Sequence, residues 1–144
     1  MKPNRQSRVA AERAGRFGET LAALSLQWKG YVILQRRVKS PRGEVDLIAR
    51  RGKILAFIEV KSRKSLQDPA TILTPSQMQR IVNGATGWAS SKAWASACQW
   101  RYDLIVVAPW RWPLHVRDAW RPQNDPALER GAKGGNVAHA RTRQ

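Results

Sequence analysis

Apolar residues recur at Ala14, Phe17, Leu21, Leu24 and Trp28, in steps of three and four that gather them on one side of a helix. The pattern predicts an amphipathic helix over about residues 9–29, stopped by Gly30, with this stripe as its buried face. Residues 1–8 are polar and expected to be flexible. Tyr31 to Val38 alternates as a strand does, and Ser40-Pro41-Arg42-Gly43 is a turn cluster. Gly43 to Ala49 and Ile54 to Lys61 are both rich in branched apolar residues, and Arg51-Gly52 between them suits a tight hairpin turn. After a loop from Ser62 to Pro69, Thr74-Pro75 opens a second helix, with Thr as cap and Pro at the first helical position. Met78, Ile81, Val82, Ala85 and Trp88 continue it at helical spacing, although Gly84 and Gly87 leave its end loosely defined. Tyr102 to Ala108 reads as a buried strand and Leu114-His115-Val116 as a short last one. Residues 123–144 lack periodicity and are expected to form a disordered basic tail. The order α-β-β-β-α-β-β implies one α/β domain over residues 9–122, a mixed sheet with helices on its faces. The link from third to fourth strand through a helix implies a parallel crossover.

The hairpin carries the candidate chemistry. With Arg51-Gly52 as the turn, Glu44 lies opposite Glu59, and Asp46 lies opposite Phe57. Residues two apart on a strand share a face, so Glu44, Asp46, Glu59, Lys61 and Arg63 point one way. Val45, Leu47, Ile58 and Val60 point the other way, into a core. Carboxylates opposite one another sit roughly 5 Å apart and repel, which a cation between them relieves. The plainer reading is a surface hairpin with salt bridges among Glu44, Glu59, Lys61 and Arg63. The crowding of like charges favours a metal site over it.

Charge sharpens the picture. The chain has 144 residues, a formal net charge of +16 and a pI near 11.5. Only ten residues are acidic, so gathering Glu44, Asp46 and Glu59 on one hairpin calls for a reason. So basic a chain points to a polyanionic partner, above all nucleic acid. A single cysteine, Cys98, excludes an intrachain disulfide and fits a reducing cytoplasm. No run of 18 apolar residues exists, so no membrane is expected to be crossed.

Asp46, then twelve residues, then Glu59-Val60-Lys61 resembles the active-site signature of the PD-(D/E)xK nuclease superfamily, with Val45 in place of the leading proline. A wider set of blocks resembles the YraN-like family of small bacterial proteins, similar in core to archaeal Holliday junction resolvases. These blocks are Gly18-Glu19, Gly43 to Ala49, Phe57 to Arg63, and Arg101-Tyr102-Asp103, and the resemblance covers about residues 9–121. It implies a restriction-endonuclease-like fold and metal-dependent hydrolysis of nucleic acid, DNA above all and branched DNA among its forms. Mg²⁺ or Mn²⁺ is the implied cofactor. Asp46 and Glu59 are the primary ligands on this reading, with the Val60 carbonyl and Glu19 as further ones. Lys61 would act on the attacking water and the phosphate, and Glu44 would stand behind the ligands. The second helix of relatives usually carries Lys where this chain has Gln77, and Arg80 is placed to compensate. Arg16, Arg42, Arg63 and Arg80 are candidate phosphate contacts. Cleavage of the resolvase kind would need two active sites, hence a homodimer. The alternative is a basic nucleic-acid-binding protein that keeps the nuclease fold without turnover.

Phosphodiester hydrolysis suits these residue types, because Mg²⁺ takes oxygen ligands and keeps several waters, so two or three carboxylates suffice. Other chemistries lack support: His115 and His139 lie far from Cys98 in sequence, and no zinc spacing occurs. Trp28 and Trp88, on helical apolar faces, are expected in the core. Trp110-Arg111-Trp112 and Trp120-Arg121 can either stack on unpaired bases or pack against the last strand, and packing is the slightly favoured reading.

Overall fold

The computed structural model describes residues 2–65 and 68–122, so the predicted tail over 123–144 lies outside the described residues. Helix α1 (Arg5–Trp28) precedes the strands β1 (Val32–Lys39), β2 (Glu44–Arg51) and β3 (Ile54–Ser62). Helix α2 (Pro75–Ala89) and the strands β4 (Gln99–Val107) and β5 (Leu114–Trp120) follow. The sheet order is β1-β2-β3-β4-β5, with β3 and β4 parallel and the other neighbours antiparallel. This mixed sheet with flanking helices is the α-β-β-β-α-β-β arrangement expected, a restriction-endonuclease-like α/β fold. Helix α1 starts at Arg5, earlier than the apolar periodicity indicates; its exposed first turns extend the packed part of the helix, since adding a turn to a formed helix costs far less than starting one. Among the described residues, no helix is long and apolar enough to cross a membrane.

Two cores lie on opposite faces of the sheet. On the α1 side, Ala22, Ala23 and Leu26 meet Leu47, Ala49, Ala56, Ile58 and Ile105. On the α2 side, Ile81, Ala85 and Ala89 meet Ile48, Leu55, Phe57, Leu104 and Val106. The face of α1 that is buried is not the predicted one. Phe17, Leu24 and Trp28 are 66%, 54% and 84% exposed, and Gly18, Ala22, Ala23, Ser25 and Leu26 are buried instead. Small side chains let the helix settle close to the sheet, which bulky ones on that face would prevent. At Gly18 the approach is close enough that a methyl group would overlap the Ser62 hydroxyl.

The hairpin forms with a different register. Its pairs run from Arg51↔Ile54 to Leu47↔Ile58, so the turn is Gly52-Lys53, with Gly52 in the left-handed region at φ +59°. Ile48, not Asp46, therefore faces Phe57. The slip is two residues, so it preserves the side each residue points to. Val45 departs from that alternation. It joins the α2-side core beside its β1 partner Val38, while Leu47, Ile58 and Val60 serve the α1 side. Next to this pair Arg37 has φ +53°, a local break in β1.

The tryptophans divide. Trp120 is buried and stacks on Tyr102 at 5.7 Å, and Trp88 packs edge-on to Phe57 with its indole N–H donating to Gln35 at 2.7 Å. Trp28, expected in the core, is exposed, as are Trp110 and Trp112.

Candidate metal and phosphate site

Where the β2–β3 pairing stops at Leu47↔Ile58, the Asp46 side chain takes over: its Oδ2 accepts the Val60 N–H at 2.8 Å. A carboxylate thus stands at the fork between two strands, half-buried, and meets the carboxyl group of Glu59, with which it shares a hydrogen bond. The Glu59 side chain is 13% exposed, and its Oε1 pairs with Lys61 Nζ at 3.2 Å. Burial, then the Asp46 charge, push Glu59 up from 4.5 to about 8. Asp46 is also raised, by burial first and then by Glu19, against the opposing pull of the Val60 N–H and Lys61. Two carboxyl groups this close and this dry hold a proton between them near neutrality.

Helix α1 brings Glu19 to the same neighbourhood, as its effect on Asp46 shows, but its Oε2 is bound by Arg37 Nε at 2.7 Å. Arg37 escaped the sequence reading. Its left-handed backbone breaks the alternation of β1, so strand parity could not foretell its direction. Val60 is tied to Asp46 through its N–H.

Glu44, Glu59, Lys61, Gln77, Arg80 and Ile81 line a cavity of about 240 Å³ between the sheet and α2. Two glycines make that closeness possible. A methyl on Gly43 would overlap the Arg80 carbonyl, and one on Gly84 would lie 2.8 Å from the Glu44 nitrogen. Gln77 is occupied structurally: Thr74 Oγ1 accepts the Gln77 N–H at 3.2 Å, and Gln77 Oε1 accepts the Thr74 N–H at 3.0 Å, a capping box. Among the expected phosphate contacts, Arg80 reaches the cavity, and Arg63 extends from the end of β3 with its N–H bound to the Val107 carbonyl. Arg42 lies on the β1–β2 turn, exposed. Arg16 pairs with Glu12 at 2.9 Å on the exposed part of α1.

No group of three His, Cys, Asp or Glu side chains among the described residues converges as a ready-made metal cage. The Asp46–Glu59 pair nevertheless fits a hard divalent cation. It offers oxygen donors only, in a partly dry fork, and Mg²⁺ keeps most of its ligands as water.

A second cluster of charge lies on the α1 side. Asp103 is fully buried, bound by Arg101 Nε and Nη2 at 2.8 Å each, by His115 Nε2 at 2.8 Å and by the Asp118 N–H at 2.9 Å. Arg101 also donates to the Tyr31 hydroxyl at 2.5 Å, and Lys29 Nζ meets His115 Nδ1 at 3.1 Å. Burial alone would raise Asp103, but the His115 and Arg101 hydrogen bonds outweigh it and hold its carboxyl low. This network ties β4 and β5 to the end of α1. The sequence hinted at it only through Arg101 and Asp103, two apart on one strand face.

A family model described as uncharacterised protein family UPF0102 matches residues 18–107. A UPF0102 protein of Paramagnetospirillum magneticum is 47% identical over 83% of this chain and 95% of its own length. Another, from Mesorhizobium japonicum, is 44% identical over 82% of this chain and 94% of its own. One from Caulobacter vibrioides is 46% identical over 81% and 94%.

Proposed function

The chain belongs to the UPF0102 family, the YraN-like group, and from its own site we propose that it is a metal-dependent endonuclease acting on nucleic acid, DNA first. The observation that carries this reading is the half-buried Asp46–Glu59 pair, with Lys61 alongside, at a strand fork in a chain of net charge +16. Even with Lys61 alongside, such a pair opposes its own ionisation, an arrangement that suits a bound divalent cation better than a plain sheet. Asp46 and Glu59 would hold Mg²⁺ or Mn²⁺. When bound, the ion supplies a Lewis acid for a phosphate oxygen and makes a coordinated water more acidic.

The chain's own residues supply the rest. The Val60 N–H fixes the rotamer of Asp46. The Lys61 ammonium stands where charge grows on the phosphate oxygens as the water attacks. Arg80 and Arg63 flank the cavity and the strand end, and bind the backbone phosphates beside the reacting one. Phosphate contacts of this kind carry little sequence preference, so affinity should fall steeply with salt.

A second reading, a nucleic-acid-binding protein without turnover, is favoured by one observation. Gln77, where relatives of the resembled type carry Lys, is spent on the α2 capping box and brings no cation to the cavity. Incubation with linear and branched DNAs in Mg²⁺ or Mn²⁺ separates the two. Cleavage that a chelator abolishes supports the nuclease; salt-sensitive binding to every DNA with no cut in either metal selects the second reading.

A further inference from the structure

The end of the sheet that carries the site also carries an aromatic loop. In the strand registers Lys61 lies beside Val106, and Val106 beside Leu114, so the three form one row across β3, β4 and β5. Just past that row the chain leaves β4 at Val107 and returns at Leu114 through Ala108-Pro109-Trp110-Arg111-Trp112-Pro113. Trp110 is fully exposed, Trp112 is 64% exposed, and Arg111 between them is exposed. Trp110 also holds φ +60°, a region that bulky side chains rarely occupy. The tryptophans on β4 and β5 themselves are packed: Trp100 donates its indole N–H to the Ala95 carbonyl at 2.8 Å, and Trp120 is buried against Tyr102, its own indole N–H without a partner among the described residues. Trp28 and Trp94 are exposed as well, but singly; Trp110 and Trp112 are the two indoles that flank an arginine at the strand ends nearest Lys61.

Seven residues out and back at ~3.3 Å each bring the loop tip to within roughly 10–12 Å of the Lys61 row. That spans about three stacked bases at ~3.4 Å spacing. The flat faces of Trp110 and Trp112 match bases that have lost their pairing partners, and Arg111 matches the phosphates between them. A paired duplex keeps its base faces covered and offers the indoles nothing to stack on.

We propose that the β4–β5 loop is a stacking platform for unpaired bases, and that the substrate is DNA with a single-stranded segment a few nucleotides from the phosphate at Asp46, Glu59 and Lys61. This deepens the nuclease reading and rests on it for the position of the scissile phosphate, but not for the binding itself.

The test is fluorescence anisotropy with labelled oligonucleotides in a chelator, at fixed salt. The probes are a single strand of thymidines, a forked duplex and a blunt duplex of equal length. Wild type is expected to prefer the single strand and the fork over the blunt duplex. A Trp110→Ala/Trp112→Ala variant should lose roughly 10- to 100-fold on the first two and no more than about 2-fold on the duplex. Trp110→Phe/Trp112→Phe should recover most of that loss, since a phenyl ring still stacks. Because both indoles are exposed, the urea midpoint of either variant should equal that of wild type. Equal affinity of wild type and the alanine variant for all three probes overturns the proposal, as does an equal loss on the duplex. Cleavage assays on the same DNAs in Mg²⁺ keep the two ideas apart. A preference for unpaired DNA without any cut upholds the platform and removes the nuclease; cutting of fork and duplex alike, with no loss on alanine substitution, does the reverse.

Discussion

Replacing Glu59 by Gln should make the protein more stable at alkaline pH, because the native carboxyl pair resists ionisation. Glu59 rises from 4.5 to about 8 in the folded chain, by burial and by Asp46. Between those two values the unfolded chain has released its proton and the folded chain has kept it. The folded state then binds more protons, so stability falls as pH rises, by up to ~1.4 kcal/mol per pH unit for one group. Across the whole window the fall amounts to about 4–5 kcal/mol, and above the folded value the loss is complete. Glu59→Gln keeps the shape and a partner for Lys61 while removing the titration. Urea unfolding at intervals from pH 5 to pH 9, in a chelator, measures the difference between the two proteins. That difference cancels the shared groups that lie away from Asp46, whose ionisation is itself tied to Glu59. Wild type should lose stability relative to the variant as pH rises, and the variant should be the more stable at pH 9. Adding Mg²⁺ at pH 8 should restore wild type alone, since an ion that binds only the folded, deprotonated pair shifts the balance by mass action. A pH-independent difference, or a variant less stable than wild type at pH 9, would refute the coupled, buried pair.

Other substitutions probe how the site is held. Gly84→Ala drives a methyl into the Glu44 backbone and should cost about 1–3 kcal/mol while pushing α2 off β2, seen as a lower melting temperature and weaker metal binding. Asp103→Asn leaves Arg101 and His115 facing a neutral amide in a buried site and should cost about 3–5 kcal/mol in urea unfolding. Gln77→Lys removes the acceptor for the Thr74 N–H and should lower stability by about 0.5–1 kcal/mol, while its ammonium in the cavity tightens DNA binding at low salt. Unchanged DNA affinity in that variant would mean that the cavity does not face the phosphate backbone.

The element order and the acidic positions were legible because they depend on local patterning. Two-residue alternation brings Asp46 and Glu59 together, and their carboxyl groups do meet, although the pairing ends at Leu47↔Ile58 and Val45 turns to the other core. Thr74-Pro75 announced α2 through a cap that needs no distant partner. Tertiary choices were not legible. Apolar spacing in α1 pointed to Phe17, Leu24 and Trp28, yet the sheet selected Gly18, Ala22 and Leu26, whose small volumes allow close approach. The Arg37–Glu19 pair depends on a left-handed residue inside β1, and Val45 changes core beside it; no periodicity anticipates such a break. The Asp103 network joins residues 29, 31, 101, 103, 115 and 118, a set that only the assembled sheet brings together.

If Asp46 and Glu59 form the metal site of a nuclease, single-turnover cleavage of a forked DNA depends on both. Wild type, Asp46→Ala and Glu59→Ala would be assayed side by side at pH 8 in Mg²⁺, with DNA affinity measured in a chelator. Cleavage by wild type only is expected, with DNA binding by both variants equal to or tighter than wild type, because each has lost a carboxylate that repels phosphate. Equal cleavage by all three proteins would contradict the assignment of this site, and the absence of cleavage by wild type in both Mg²⁺ and Mn²⁺ would contradict the activity itself.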